Sequence, residues 1–148
     1  MVMAMRQFER LFRETASLDI DKSDLKRLED FIAKRLYDLL LLGQASAKMN
    51  GRDVIEQADL PITAGLQKNI QEFRRLDEAL NLGIILDKLA GLPQLDLDYA
   101  QSTRDRIPEI AGGITVSLAK VFRTLDEKLK NPGSEEWEKV EQIYEILL

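Results

Sequence analysis

A chain of 148 residues with neither cysteine nor histidine can form one compact domain or two small units sharing a core. It has no disulfide, thiolate or imidazole chemistry to offer. Its 26 acidic against 21 basic residues give a formal net charge of −5, the opposite of the cationic surplus with which proteins displace counterions from phosphate backbones.

The opening MVMAMRQFERLF is apolar but carries Arg6, Glu9 and Arg10 and has no small-residue cleavage site, so a signal peptide is not expected. Residues 5 to 16 place Phe8, Leu11 and Phe12 on one helical face. Asp21 or Ser23 can then cap a long helix reaching about Met49. Its stripe of Leu25, Leu28, Phe31, Ile32, Leu36, Leu39 and Leu40 is widened by Tyr37, Leu41 and Leu42, which predicts a central helix packed on several sides. The apolar run at Leu39 to Leu42 is far too short to span a membrane, and a cytoplasmic protein without membrane contact is expected.

Asn50-Gly51 should end the long helix, and a new one is predicted to start near Leu60-Pro61, with Asp59 complementing its dipole. A shorter apolar segment, LNLGIILDKLAGL, follows and stops at Gly91 and Pro93. Asp98 can cap a second long helix, whose stripe includes Thr103, Ile107, Ile110, Ile114, Leu118, Phe122 and Leu125. Pro108 should kink that helix or mark its true start. NPGS breaks it, and EEWEKVEQIYEILL forms a last helix with Trp137, Val140, Tyr144 and Leu147 on one side. No stretch shows the period-two alternation of strands.

Element order is therefore short, long, short, twice over, with a division expected near residue 78: 1–78 and 79–148 within one compact domain. GRDVIEQADL, residues 51 to 60, sets a Gly-Arg pair and a β-branched residue ahead of an acidic residue that opens the third helix. That motif, after the short–long helix pair, resembles the histone fold of archaeal histones from about Arg10 to Leu60. With its divergent second copy, the whole chain resembles the bacterial family of uncharacterised single-chain double-histone proteins. The resemblance implies an all-α tandem histone fold, two short-long-short helix triplets forming an intramolecular pseudodimer with their long helices crossed antiparallel. It also implies a structural clamp between Arg52 and Asp59, a planar guanidinium forked onto a carboxylate.

Histones that wrap DNA carry cations or hydroxyls on paired loops facing phosphate. Carried over by position, those places fall here on Asp19, Asp53, Val54 and Glu56, with Glu135 and Glu136 at the equivalent end of the second half. Only Arg10 matches a phosphate-contacting position of the family. A carboxylate beside phosphate turns attraction into repulsion. Duplex DNA binding is expected to be absent or weak; its candidate contacts are Arg6, Arg10 and Arg13.

DIDKSD, residues 19 to 24, imitates the start of a calcium loop, but Asp24 stands where the loop's turn needs Gly and Asp30 where it needs Glu, so a capping cluster is the expectation. Gly112-Gly113 inside a helical stripe points to close approach of another backbone, where the long helices cross; Gly43 can serve the same end. A second basic strip, Lys120, Arg123, Lys128 and Lys130, reads as a solvated face. No convergent catalytic set, metal site or cofactor motif is visible. The expectation is a non-enzymatic protein-interaction or scaffold module with a protein partner of unknown identity; the alternative is a DNA-binding, nucleoid-type protein.

Overall fold

A computed structural model describes the backbone of residues 2–89 and 91–148, and side chains of 5–88 and 91–148. Ala90, within the expected short apolar segment, lies outside the described residues. Among those described are six α-helices and one two-stranded sheet with two residues per strand. None of the helices is long and apolar enough to cross a membrane.

The first helix, α1 (Val2–Ala16), buries Phe8, Leu11 and Phe12 completely. It stops at Ser17, which adopts a left-handed backbone (φ 55°). The carbonyls released there are met from far along the chain: Arg123 donates to the carbonyl oxygens of Ala16 (2.8 Å) and Ser17 (3.1 Å). Its guanidinium also caps Asp126 and Glu127, so Arg123 belongs to the scaffold instead of the solvated strip that the charge pattern predicts.

The long helix α2 (Lys22–Met49) starts where the capping residues place it. Asp21 accepts from the Asp24 backbone N–H at 3.0 Å, and the Asp24 carboxylate accepts in return from Asp21 at 2.9 Å, which satisfies two of the end's orphan donors. One wide face is buried, from Leu25 through Leu40 to Ala47. Tyr37, Leu41 and Leu42, expected to widen it, are instead exposed by 43%, 37% and 55%. Periodicity places a residue on a helix face but does not say whether a neighbour covers that face.

Gly51, at φ +70°, turns the chain out of α2, a conformation that only glycine enters without steric cost. Strand β1 (Val54–Ile55) pairs in parallel with β2 (Asp98–Tyr99), Val54 opposite Asp98 and Ile55 opposite Tyr99. Two residues are too few for alternation to register. A 3-10 turn at Gln57–Asp59 follows, and α3 spans Ala64–Leu80. The helix begins about a turn later than the expected Leu60-Pro61 because a residue before proline is driven to extended backbone; Leu60 has ψ 129°, and Thr63 is the actual cap. The expected division at residue 78 falls in the last turn of α3, before the joint at Asn81.

Helix α4 (Leu82–Leu89) is fastened by Asp77, whose carboxylate accepts from the Leu82 and Gly83 N–H groups at 2.5 and 2.9 Å. Helix α5 (Gln101–Leu125) is the centre of the molecule, and α6 (Ser134–Leu147) closes it. Asp98 does not cap α5: it lies in β2, and Ala100 is the capping position. Pairing with β1 holds the chain extended two residues longer than the capping pattern implies. Pro108 lies inside α5 and does not mark its start.

Gly112 and Gly113 serve close approach, but of α3 and not of the other long helix. A Cβ on Gly112 would collide with the Phe73 ring. On Gly113 it would lie 2.5 Å from the Ile70 side chain and 3.0 Å from the Ile70 nitrogen. Gly43 likewise admits Leu60 and Ile55 against α2. The core so formed is continuous across both halves, with Phe31, Phe122, Trp137 and Tyr144 meeting edge-on, Phe31 to Tyr144 at 4.8 Å and Phe122 to Trp137 at 5.0 Å.

Candidate functional site

The loop after α2 is built around Asp59. Its carboxylate is 1% exposed and collects an N–H from Glu56 at 2.8 Å, the Ser46 hydroxyl at 3.0 Å and the Arg52 guanidinium. Arg52 reaches both carboxylate oxygens, the second at 3.3 Å, and places the same terminal nitrogen 3.3 Å from Glu56. Burial pushes the Asp59 carboxyl up, but the Glu56 N–H, the Ser46 hydroxyl and the Arg52 cation outweigh it and hold the group below the usual aspartate value. Asp59 therefore turns back onto the end of α2 and does not sit at the start of α3.

The carboxylates at the phosphate-facing loop positions have their own partners or face solvent. Asp19 is exposed and accepts from Arg13 at 3.0 Å. Asp53 is exposed, and Glu56 pairs with Arg52. Glu135 lies 3.5 Å from Lys139, while Glu136 accepts from the Gly133 N–H at 2.8 Å and caps α6. Of the candidate cations, Arg10 pairs with Glu14 at 2.8 Å and Arg13 with both Asp19 and Glu9. Arg6 is exposed. The structure brings Arg13 to Asp19, so the basic strip meets an acidic loop.

The two halves are tied at both ends of the long helices. At one end Asp19 donates its N–H to the Lys130 carbonyl at 2.7 Å. There Asp24, in the third position of α2, accepts from the Trp137 indole at 2.8 Å. At the other end β1 meets β2, and Thr103, in the third position of α5, donates to the Ile55 carbonyl at 2.8 Å. Each long helix thus uses the same position to reach the loop or helix that follows the other. Sequence reading missed both ties. The available signal was a polar side chain one turn inside a cap, together with a tryptophan whose buried N–H needs an acceptor.

A second missed residue is Arg35. It interrupts the apolar stripe of α2 one turn beyond Phe31, and its side chain is only 1% exposed. The guanidinium lies 5.6 Å from the Phe31 ring centroid and is ringed by Glu145 at 3.7 Å, Asp38 at 3.8 Å and Glu141 at 4.0 Å. None of its nitrogens has a hydrogen-bond partner among the described residues.

The overall architecture is shared with proteins of known structure. Over the full length of both chains, a Thermus thermophilus protein of known crystal structure is 51% identical, with a TM-score of 0.87. An Aquifex aeolicus crystal structure, 23% identical, matches 98% of this chain and 95% of its own with a TM-score of 0.85. Two uncharacterized proteins of Aquifex aeolicus (strain VF5) are 25% and 31% identical, over 93% and 87% of this chain and 80% and 84% of theirs. Residues 8–145 match the family described as a domain of unknown function, DUF1931, and the chain belongs to that family.

Proposed function

We propose that the chain is a tandem histone fold, its two short-long-short triplets paired within one molecule, acting as a non-enzymatic cytoplasmic protein-interaction or scaffold module without histone-like DNA wrapping. The reciprocal ties support the pairing: the loop before each long helix bonds to the loop after the other, at Asp19–Lys130 and at β1–β2. Covalent linkage holds the halves at high effective concentration, so each covers the apolar face that the other cannot bury alone. The Arg52–Asp59 pair fixes the second loop of the first half, a structural task and not a catalytic one.

The observation that carries the functional half of this reading is the acidic loop surface. Asp19 and Asp53 are exposed where a wrapping surface needs cations, and Arg10 and Arg13 are already paired with carboxylates. A gel shift across a salt series tests it. The expected outcome is no duplex complex at physiological salt and at most weak retention at low salt; tight, salt-sensitive binding there would restore the nucleoid reading. Affinity capture from the native cell, scored for protein against nucleic acid, is the companion measurement.

A further inference from the structure

We propose that the cleft between α2, α3, α5 and α6 binds an uncharged, mostly apolar small molecule that presents one hydrogen-bond donor, such as an alkylphenol or an indole-like ring. This goes beyond the interaction-module reading and does not depend on it. The cleft holds about 350 Å³ and is walled by Leu39, Leu66, Ile114, Val121 and Ile143. Small-molecule sites typically span ~300–1,000 Å³ and are mostly apolar with a few polar groups. No charged side chain of the described residues lines this one. An ion entering it would give up its water without gaining a counter-charge, so the lining selects a neutral ligand.

A pair of hydroxyls sets the ligand's polar group. Ser117 of α5 and Tyr144 of α6 both line the cleft, with their oxygens 2.7 Å apart. Ser117 donates to the Ile114 carbonyl at 2.7 Å. A hydroxyl has one proton, so Tyr144 is the donor between the two, and the relay runs from Tyr144 through Ser117 to Ile114. Both protons are used within the protein, and the pair has only lone pairs left to offer. The ligand must therefore bring the proton. Burial pushes the Tyr144 phenol above the ordinary tyrosine range, so it keeps its proton, and the relay its direction, at neutral pH. Phe31 meets Tyr144 edge-on at 4.8 Å and helps to fix the ring in place.

The other polar groups of the lining, Thr63 and Asn69, belong to the α3 wall. Their side-chain oxygens already accept, Thr63 from the Leu66 N–H at 3.1 Å and Asn69 from Lys120 at 2.8 Å. Thr63 is exposed and Asn69 half-buried, so water competes for any bond a ligand makes there. Tyr144 is only 8% exposed, and a bond to it is made away from most of that competition. The hydroxyl pair therefore carries the discrimination.

The test is calorimetric titration of the full chain with para-propylphenol, para-propylanisole and para-propylbenzoate, which share a shape but offer a donor, no donor and a full charge. Saturable binding of the phenol at one site is expected, about three- to tenfold tighter than the anisole, with the benzoate weaker than both. Methyl NMR shifts of Ile114, Ile143 and Leu66 during the titration should place the ligand in the cleft. Val121→Phe fills the cleft from its α5 wall and should abolish binding. Ser117→Ala frees the Tyr144 proton, so the preference should reverse and the anisole should overtake the phenol. Melting of each variant establishes that it folds, and the Ser117→Ala reversal decides the matter even where Val121→Phe does not fold. Absence of saturable phenol binding would overturn the proposal, as would shifts confined to methyls outside the cleft. Equal affinity for phenol and anisole, or a preference unchanged in Ser117→Ala, would do the same, because the cleft would then read apolarity alone.

Discussion

Trp137 donates its indole N–H to the Asp24 carboxylate at 2.8 Å, across 113 residues of sequence. Asp24 is 3% exposed and at the same time closes the capping box of α2, so one carboxylate joins the start of the first long helix to the last helix of the chain. Burial raises its pKa; the hydrogen bonds from the Asp21 N–H and Trp137 offset that only in part. With the folded pKa above the unfolded one, the folded state binds the proton more tightly. The associated stabilisation is fully present below the unfolded value and is lost as pH rises through the folded value. Denaturation followed by Trp137 fluorescence should therefore show a stability contribution that declines just above the ordinary aspartate range. Asp24→Asn should flatten that part of the profile, and an unaltered profile would detach the titration from Asp24.

The Arg52–Asp59 pair has the opposite sign. Its carboxyl is held below the usual value, so its contribution is present above the unfolded pKa and is lost as pH falls through the folded one. Arg52→Ala leaves Asp59 buried with two remaining donors, Ser46 and the Glu56 N–H. The expected cost is on the order of 2–4 kcal/mol, below a fully enclosed pair because Arg52 is 30% exposed. A double-mutant cycle with Asp59→Asn should show coupling, the two changes together costing less than their sum. Zero coupling would make the pair a coincidence of packing.

What the sequence disclosed follows from the range of each signal. The limits of α2 were legible because its cap, its stripe and the Asn50-Gly51 stop are local. The Arg52–Asp59 contact was legible through resemblance of the loop motif. Local signals failed wherever a distant segment decided the outcome. Asp98 is a good cap, but β1 draws it into a strand. Leu41 and Leu42 continue a stripe that no described element covers. Arg35 lies mid-stripe, where a charge would be expected to break the pattern, and is buried through a stem that packs like its apolar neighbours.

Gly113 provides a test of the α3–α5 contact. Alanine gains up to about 1 kcal/mol in helix propensity, but its Cβ would meet the Ile70 backbone nitrogen at 3.0 Å and Cα at 3.1 Å, which cannot rotate away. Overpacking of that kind typically costs about 1–3 kcal/mol, so Gly113→Ala should lower the melting temperature on balance. Gly65, with open space around it, is the control, and Gly65→Ala should be neutral or stabilising.

If the halves pair within one chain, folding is unimolecular. The melting temperature should then stay constant as protein concentration changes over about two decades, since mass action enters only when a second chain is needed. Separate fragments of the two halves should by contrast be unfolded alone, because Phe31 and Tyr144 from opposite halves share one aromatic cluster. A melting point that climbs with concentration would make the pairing intermolecular.

The loop carboxylates give the most direct access to function, because the same positions can be reversed. Asp19 and Asp53 are exposed, so replacing them leaves the core untouched. The exposed Glu56 side chain pairs with Arg52, while its backbone N–H remains bound to Asp59. Asp19→Arg with Asp53→Lys and Glu56→Lys adds two positive charges at each site. Close to phosphate these are screened only in part, the Debye length being about 8 Å at 0.15 M salt. The variant should acquire duplex binding whose affinity falls steeply with salt, each new phosphate contact adding about 0.9 to the log–log slope, while the unaltered chain remains unbound. Glu78 on α3, Asp87 on α4 and Glu138 on α6, all exposed, provide the charge-matched control: Glu78→Lys with Asp87→Lys and Glu138→Lys adds the same charge outside these loops. Equal gain from both sets would mean that net charge alone drives binding. Gain confined to the loop set would mean that the paired loops retain the shape of a phosphate cradle whose charges have been inverted.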